Sequence, residues 1–160
     1  MEIRRKDRIL DAEAAAELLE RAEWGVLSTA SVEGEPYGVP LNFVWVRDNS
    51  NLNGVLYFHC ALEGHKLSNL KANPRASFCV VGDVELLPAK FSTKYKSVIA
   101  LGRVSAVEDV GEFSRAYEAL LAKLDPAHLA EGLEYVRKAG ARTHILRFDI
   151  DEITAKGRVK

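Results

Sequence analysis

The chain contains little cysteine and no long apolar segment. Only Cys60 and Cys79 occur among 160 residues, and each lies in an apolar run typical of a strand. Two cysteines cannot build a disulfide framework, so a reducing cytoplasm is the simplest expected location. No apolar segment approaches the length that spans a bilayer, and none follows the charged N-terminus as a secretion signal requires. We therefore expect no membrane association.

An excess of basic charge is also missing. The formal net charge is −1, and acidic and basic residues are mixed along the chain. Nucleic acids and anionic membranes bind to concentrated basic surfaces, so neither partner is expected. The chain also lacks the GxGxxG, GxxxxGKS/T, GxSxG and HExxH motifs. The sequence therefore does not indicate a dinucleotide-binding protein, a P-loop protein, a serine hydrolase or a zinc protease.

Three residues that can ligate metals lie close together in the sequence: His59, Cys60 and His65. Successive residues of a strand face opposite sides, so His59 and Cys60 cannot both reach one ion. A fourth ligand is also missing, and we predict no metal site. Cys60 has no neighbouring base and is expected to be a small buried residue. The alternative role for His59 is structural, as a core histidine whose two nitrogens are hydrogen-bonded.

One domain over residues 1–160 is the simplest organisation for a chain of this length, with a charged lead-in over 1–10 and a tail over 154–160. Three amphipathic helices are predicted, each preceded by an aspartate whose side chain can accept hydrogen bonds from the first amide groups. These aspartates are Asp11, Asp109 and Asp125. The apolar stripe of the second helix is expected to include Val110 and Phe113.

About six strands account for the remaining apolar runs. They are predicted over Val26–Thr29, Pro36–Val46, Val55–Phe58, Arg75–Val81, Lys94–Val107 and His144–Ile153. A hairpin turn is predicted at Val32–Glu35 and a loop over Gly82–Ser92, while Pro40 requires a sheet edge, a bulge or a break. Gly102 predicts a bend or a bulge. Many strands with few helices indicate an α+β fold that is mainly β, built on an antiparallel barrel.

The segment Gly54–Ala76 combines a strand, a turn and a short helix. Leu67 and Leu70 recur at helical spacing until Asn73-Pro74 ends the helix. The first amide groups of a helix and the positive end of its dipole point outward together, which suits a phosphate. His65 and Lys66 add two basic side chains at this point. The alternative is a solvated turn whose basic residues bind nothing.

Several short motifs in this chain resemble those of the pyridoxamine 5′-phosphate oxidase-like flavoproteins. The pattern over Gly64–Ala76, with a small residue, any residue and a lysine opening a helix that ends in Asn-Pro-Arg, resembles their phosphate loop. Tyr37–Phe43, Tyr57–His59 and Tyr95–Val98 extend the resemblance at suitable separations. Together with Val80–Asp83, they are similar to the branch that contains the nitroimidazole-resistance (Nim) proteins.

The resemblance implies a split β-barrel that forms a homodimer and binds FMN at the subunit interface. Lys66 and His65 would hold the phosphate, and Tyr95 and Ser97 would come from the partner subunit. His59 would lie close to the isoalloxazine ring. The cofactor-binding residues implied are Pro40, Leu41, Asn42, Phe43, His59, Cys60, Ala61, Gly64, His65, Lys66, Tyr95 and Ser97. Lys90 or Phe91 would close over the flavin.

Three departures from the family limit what the resemblance implies. Members that oxidise pyridoxamine phosphate carry an arginine-rich strand motif where this chain has Val39–Asn42, and they end in a substrate segment with no counterpart here. Gly64 also replaces a hydroxyl residue often found two positions before the phosphate lysine. The expected cofactor is FMN, and the expected activity is not vitamin B6 synthesis.

The favoured hypothesis is an oxidoreductase of Nim type, in which FMN reduces a small flat acceptor such as a nitroaromatic. His59 would be its catalytic residue, as a proton donor or an orienting group. One alternative is a module that binds or senses flavin or haem without turnover, with His59 or His65 as an axial ligand. Another is a barrel with a purely structural or partner-binding role.

Overall fold

One sheet of seven strands with four α-helices forms the protein in the computed structural model, which describes residues 4–48, 50–139 and 143–159. The strands are β1 Trp24–Ala30, β2 Pro36–Asn42, β3 Val44–Asp48, β4 Asn51–Cys60, β5 Arg75–Leu87, β6 Ser92–Ala106 and β7 His144–Arg158. The helices are α1 Ala12–Arg21, α2 His65–Ala72, α3 Val110–Leu124 and α4 Leu129–Ala139. Residues 1–3, 49, 140–142 and 160 lie outside the described residues, and of these 1–3 and 160 belong to the predicted lead-in and tail.

All neighbouring strands are antiparallel, in the order β2-β1-β5-β6-β7-β4-β3. The sheet curls until β2 approaches β4, but these two strands are not paired in the described part of the chain. A seam therefore remains along one side of the barrel. The predicted fold, an antiparallel split β-barrel with flanking helices, is confirmed.

The barrel interior is filled by aromatic side chains from three strands and from the junction between β2 and β3. Phe43, Phe58, Phe78 and Phe148 are fully buried. Phe78 lies 4.9 Å from Phe43 and 5.0 Å from Phe58 between ring centroids, in edge-on or tilted geometry. Such pairs add to the ~2 kcal/mol gained by burying each ring. Helix α1 covers this core with its buried side chains Ala15, Leu18 and Leu19.

Helix α3 packs on the outer side of β4 and β7. Ala116 and Leu120 cover a second apolar cluster that includes Val55 and Ile145. The predicted stripe was wrong at Val110, which is 78% exposed because the first residue of the helix faces away from the sheet. The rest of this helix thus protects one face of the barrel from water.

The predicted aspartate caps of α1 and α3 are present. Asp11 accepts a hydrogen bond from the amide of Ala14, at 2.8 Å, and Asp109 accepts one from the amide of Glu112, at 2.7 Å. In a capping box the glutamate side chain would bond to the amide of the N-cap residue. The carboxylate of Glu112 accepts hydrogen bonds from the hydroxyl of Tyr57 and from Arg147, each at 2.8 Å. A residue typical of a capping box therefore fastens α3 to the sheet.

Arg147 is the centre of a half-buried charge network. Its guanidinium also donates to Asp48 at 3.0 Å and to Asp149 at 2.8 Å. Hydrogen bonds from Ser50, and then from Arg147, lower the pKa of Asp48 to about 2. Burial, and then the hydrogen bond to Glu112, raise the pKa of Tyr57 to about 12. The network joins β3, β4, β7 and α3 through one cation.

At the edge of the barrel, two elements of the structure differ from the sequence-based prediction. The single strand predicted over Pro36–Val46 is broken at Phe43, because the chain passes from β2 at one edge of the sheet to β3 at the other. The loop predicted over Gly82–Ser92 was wrong, since β5 continues to Leu87 after a bulge between Gly82 and Glu85. Asp83 adopts φ +53° at this bulge. Sequence periodicity fails there because the bulge reverses which residues face inward.

The tail predicted over residues 154–160 was also wrong. Strand β7 continues to Arg158, beyond the Ile153 end predicted from its alternating pattern, and pairs with the start of β6. In the lead-in, Ile9 forms an isolated β-bridge with Lys156. The register shifts between Leu101 and Gly102, so a bulge is present at the predicted position, but its extra residue, Asp151, belongs to β7.

Replacing Arg147 by leucine is expected to lower the free energy of unfolding by about 2 kcal/mol, because three carboxylates lose their shared hydrogen-bond donor. Arg147 lowers the pKa of Glu112 below its ordinary value of 4.5. The stabilisation from this pair is therefore lost as the pH falls below 4.5, and the difference between wild type and Arg147→Leu should shrink in acid. Urea unfolding at pH 7 and at lower pH values measures both effects.

The control is Arg137→Leu, which removes an exposed pair with Glu134 on α4. This variant should unfold at the wild-type urea concentration. Equal destabilisation by both substitutions would contradict a special role for Arg147.

Candidate cofactor site at the start of helix α2

Helix α2 begins without a side-chain cap. Its N-cap residue, Gly64, has φ +146°, a conformation that other residues rarely adopt, although a Cβ there would meet no atom within 4 Å. The glycine is therefore required by the backbone and not by crowding. Helices α1 and α3 have aspartate caps and an acidic residue in the first turn, and α2 has neither. The positive end of its dipole is left for an anion.

The two basic residues of this turn differ in their surroundings. Lys66 is half-buried, and among the described residues no carboxylate forms an ion pair with it. Its positive charge lies close enough to Cys60 to oppose the rise in that thiol's pKa. The ring of His65 packs on Tyr37 of β2, with centroids 4.6 Å apart. The exposed Ala61 and Gly64 lie in the turn before them.

Strand β2 runs along the edge of the sheet, as Pro40 requires. Pro40 and Asn42 pair with Val26 and Trp24, all on the outer side of the barrel. The side chain of Leu41 lies on the opposite side and packs on the core. A ligand outside the barrel can therefore meet the side chains of Pro40 and Asn42 but only the main chain of Leu41.

The Phe43 side chain is held inside the barrel. It is fully buried, and the Lys123 amine lies 4.0 Å from its ring centroid. The same amine donates to the carbonyl of Leu19 at 3.1 Å, and burial lowers the pKa of Lys123 to about 8. These contacts leave only the main chain of Phe43 for an external ligand.

Ser97 and Tyr95 lie on the same outer face as Pro40 but three strands away. The register from Pro40 passes through Val26 and Cys79 to Ile99, two residues from Ser97. Three strand spacings put Ile99 about 14 Å from Pro40 along the sheet, and Ser97 lies further along β6. The buried hydroxyl of Ser97 donates to the carbonyl of Lys156 at 3.2 Å.

His59 and Cys60 face opposite sides at the end of β4, as predicted. Cys60 belongs to the barrel core, and burial raises the pKa of its thiol. His59 is exposed on the outer side, where partial desolvation lowers the pKa of its imidazole below 6.5. The imidazole is therefore mainly neutral at pH 7. No cluster of three metal-ligating side chains occurs within residues 4–48, 50–139 and 143–159.

Sequence analysis missed two buried polar residues next to this site. Asn69 of α2 and Thr29 of β1 are each 4% exposed, and the Asn69 amide donates to the Thr29 hydroxyl at 3.1 Å. One signal could have found Asn69. It lies one turn after Lys66, between Leu67 and Leu70, on the face of the helix that those leucines bury.

Comparison with known proteins identifies the family. The family model described as pyridoxamine 5′-phosphate oxidase matches residues 11–157. The chain belongs to the pyridoxamine 5′-phosphate oxidase family. The family resemblance inferred from its short motifs is thereby confirmed over nearly the whole chain. No curated protein matches this family member.

Solved structures share its fold at low sequence identity. A candidate 5-nitroimidazole antibiotic resistance protein from Bacteroides thetaiotaomicron is 21% identical, with a TM-score of 0.71 over 94% of this chain and 86% of that one. A FAD-binding protein from Mesorhizobium loti is 23% identical, with a TM-score of 0.63 over 96% and 97%. A FAD- and haem-binding protein from Mycobacterium smegmatis is 22% identical, with a TM-score of 0.77 over 94% and 72%.

No helix in the described residues is long and apolar enough to cross a bilayer. Cys60 and Cys79 are both free thiols. The cytoplasmic location expected from the cysteine content stays a prediction.

Proposed function

We propose that this member of the pyridoxamine 5′-phosphate oxidase family is a homodimeric flavoprotein that binds FMN and reduces a small flat acceptor such as a nitroaromatic. The observation that carries the proposal is the uncapped start of α2, where Lys66 has no carboxylate partner among the described residues. This arrangement has the charge and the free amide groups that a phosphate monoester requires.

The phosphate end of the proposed site is built from one turn. A lysine ammonium at the positive end of a helix dipole is unfavourable unless an anion balances it. Gly64 keeps the turn free of a side chain, and Lys66 supplies the charge. His65, held against Tyr37, adds a ring nitrogen beside them. We assign the phosphate of FMN to this turn.

The ring end of the proposed site is the free edge of β2. An edge strand leaves main-chain N–H and C=O groups unpaired on its outer side, and these can meet the polar edge of an isoalloxazine. Pro40 has no N–H to offer, so it leaves a flat apolar position beside Leu41 and Asn42. The Arg-rich substrate motif of vitamin B6 synthesis is missing here, and the acceptor is therefore another molecule.

An uncovered apolar face supports the homodimer. Trp24, Val26 and Val81 are 58%, 41% and 54% exposed, and they lie on the outer side of β1 and β5, opposite the buried core residues Leu27 and Val80 of the same strands. Apolar side chains clustered on one sheet face are typical of an interface. Ser97 lies three strands away from Pro40 within one chain, which supports a role for Ser97 in the partner's site.

The tip of the β5–β6 hairpin extends from the same region. Phe91 is 97% exposed there at φ +48°, after a short 3₁₀ turn over Pro88–Lys90. A bare aromatic ring on a projecting arm suits a contact with the second subunit. We propose that Phe91 closes over the flavin of the partner.

His59 is the proposed catalytic residue. The reduced flavin supplies the electrons, and conversion of a nitro group to a nitroso group also consumes two protons and releases water. An exposed imidazole on the outer face can donate a proton to the nitro oxygen. Because desolvation lowers its pKa, the protonated form is a stronger acid than an ordinary histidine.

Replacing Lys66 by alanine should weaken FMN binding by at least tenfold and change riboflavin binding little, because only FMN carries the phosphate that Lys66 pairs with. Fluorescence titration of the apoprotein with each flavin gives both dissociation constants. Lys71→Ala is the matched control, since it removes the same charge from the exposed last turn of the same helix. Equal losses for FMN and riboflavin, or equal effects of the two variants, would refute the phosphate assignment.

A charge placed on the proposed interface should separate the subunits. Val81→Lys is expected to convert a dimer into a monomer and to lower FMN affinity, because a lysine would be buried unpaired. Sedimentation velocity with and without FMN measures this. The control is Leu52→Lys, at a fully exposed position on the β3–β4 hairpin. A monomeric wild type that binds FMN tightly would rule out a shared site.

Protein-bound reduced FMN should be reoxidised by a 5-nitroimidazole faster than free reduced FMN under anaerobic conditions. The rate should rise as the pH falls below 6.5, because more His59 is then protonated, and His59→Gln should lose at least about tenfold and most of this pH dependence. Stopped-flow absorbance records the reaction. Rates equal to those of free flavin would favour the alternative, a module that binds flavin without turnover.

A further inference from the structure

Within the described residues, the buried polar side chains are Thr29, Asn69 and Ser97. Two of them bond to each other across 40 positions of sequence, which joins α2 to β1. A buried amide is costly unless it is hydrogen-bonded, and leucine would fill the same space with less cost. The polar pair therefore has a geometric role that apolar packing would not provide.

The hydrogen bonds continue from Thr29 to the proposed ring-binding strand. Its hydroxyl accepts from Asn69 at 3.1 Å and donates to the main-chain carbonyl of Tyr37 at 3.4 Å. Tyr37 lies on β2 three residues before Pro40, and its ring packs against the ring of His65 at the start of α2. Because helix α2 itself connects His65 to Asn69, the four residues Asn69, Thr29, Tyr37 and His65 form a closed ring of contacts, which we call the circuit.

We infer that this circuit is a positioning device that fixes the distance and orientation between the start of α2 and the edge of β2, and so selects a flavin of FMN's length with a terminal phosphate. The inference rests on the proposed function. Leu67 and Leu70 also hold α2 to the barrel, but apolar contacts permit the helix to rotate or slide. A directional hydrogen bond from Asn69, one turn after Lys66, fixes that rotation.

The two ends of the proposed site come from different elements. FMN joins its phosphate and its ring by one ribityl chain, so both ends bind well only when the elements are correctly spaced. Asn69 and Thr29 are positioning residues that act through this spacing. Their loss should release the phosphate end while the ring end still binds.

The test compares Asn69→Leu, Thr29→Val and the double variant. For each, the phosphate preference is the ratio of the riboflavin to the FMN dissociation constant, measured by fluorescence titration. Each single variant should lower this ratio about tenfold, and the double variant should lower it no further, because the residues belong to one network. Thermal unfolding of each apoprotein is recorded in parallel.

Asn53→Leu is the matched control. Its side-chain amide also joins two elements, donating to the carbonyl of Asp151 at 3.1 Å, but it lies on the β3–β4 hairpin side of the barrel. It should lower the melting temperature and leave the phosphate preference unchanged. A preference unchanged in Asn69→Leu and Thr29→Val, or lowered equally by Asn53→Leu, would overturn the inference. Wild-type protein that binds neither flavin would instead refute the proposed function.

Discussion

Helix α2 carries a half-buried lysine at the end where its own dipole is already positive. The repulsion is tolerated because Gly64 keeps the turn open, and because Asn69 and two leucines hold the helix on the barrel. An anion in this turn would relieve the unfavourable electrostatics, and every other part of the proposed site is arranged around that position. The fold supplies a fixed charge, and the cofactor would neutralise it.

The barrel seam explains why this turn and β2 can serve one ligand. Since β2 and β4 are not paired in the described residues, the edge of β2 keeps free main-chain groups beside the turn that follows β4. A closed barrel would have used those groups in its own ladder. Elsewhere on the outer side of the barrel, Arg147 fastens α3 over β4 and β7, whereas Trp24, Val26 and Val81 of β1 and β5 stay exposed.

Much of the local structure followed from short-range rules. Asp11 and Asp109 begin helices, Pro40 lies on an edge strand, Gly102 marks a bulge, and His59 and Cys60 face opposite sides. The errors have long-range causes. Strand β5 passes through a bulge that reverses its pattern, and β7 is extended because β6 is there to pair with it. In both cases the partner strand is β6, which the local sequence pattern of β5 or β7 does not reveal.

The sequence by itself determined most of the strands and helices, the basic turn of α2 and the family, because these depend on spacing within a few residues. Only the tertiary structure decided that Phe43 points inward, that Trp24 lies on an open face and that Asn69 reaches Thr29. Such facts depend on which strands become neighbours. Burial and pairing are properties of the whole barrel, and a side chain acquires them only when distant segments meet.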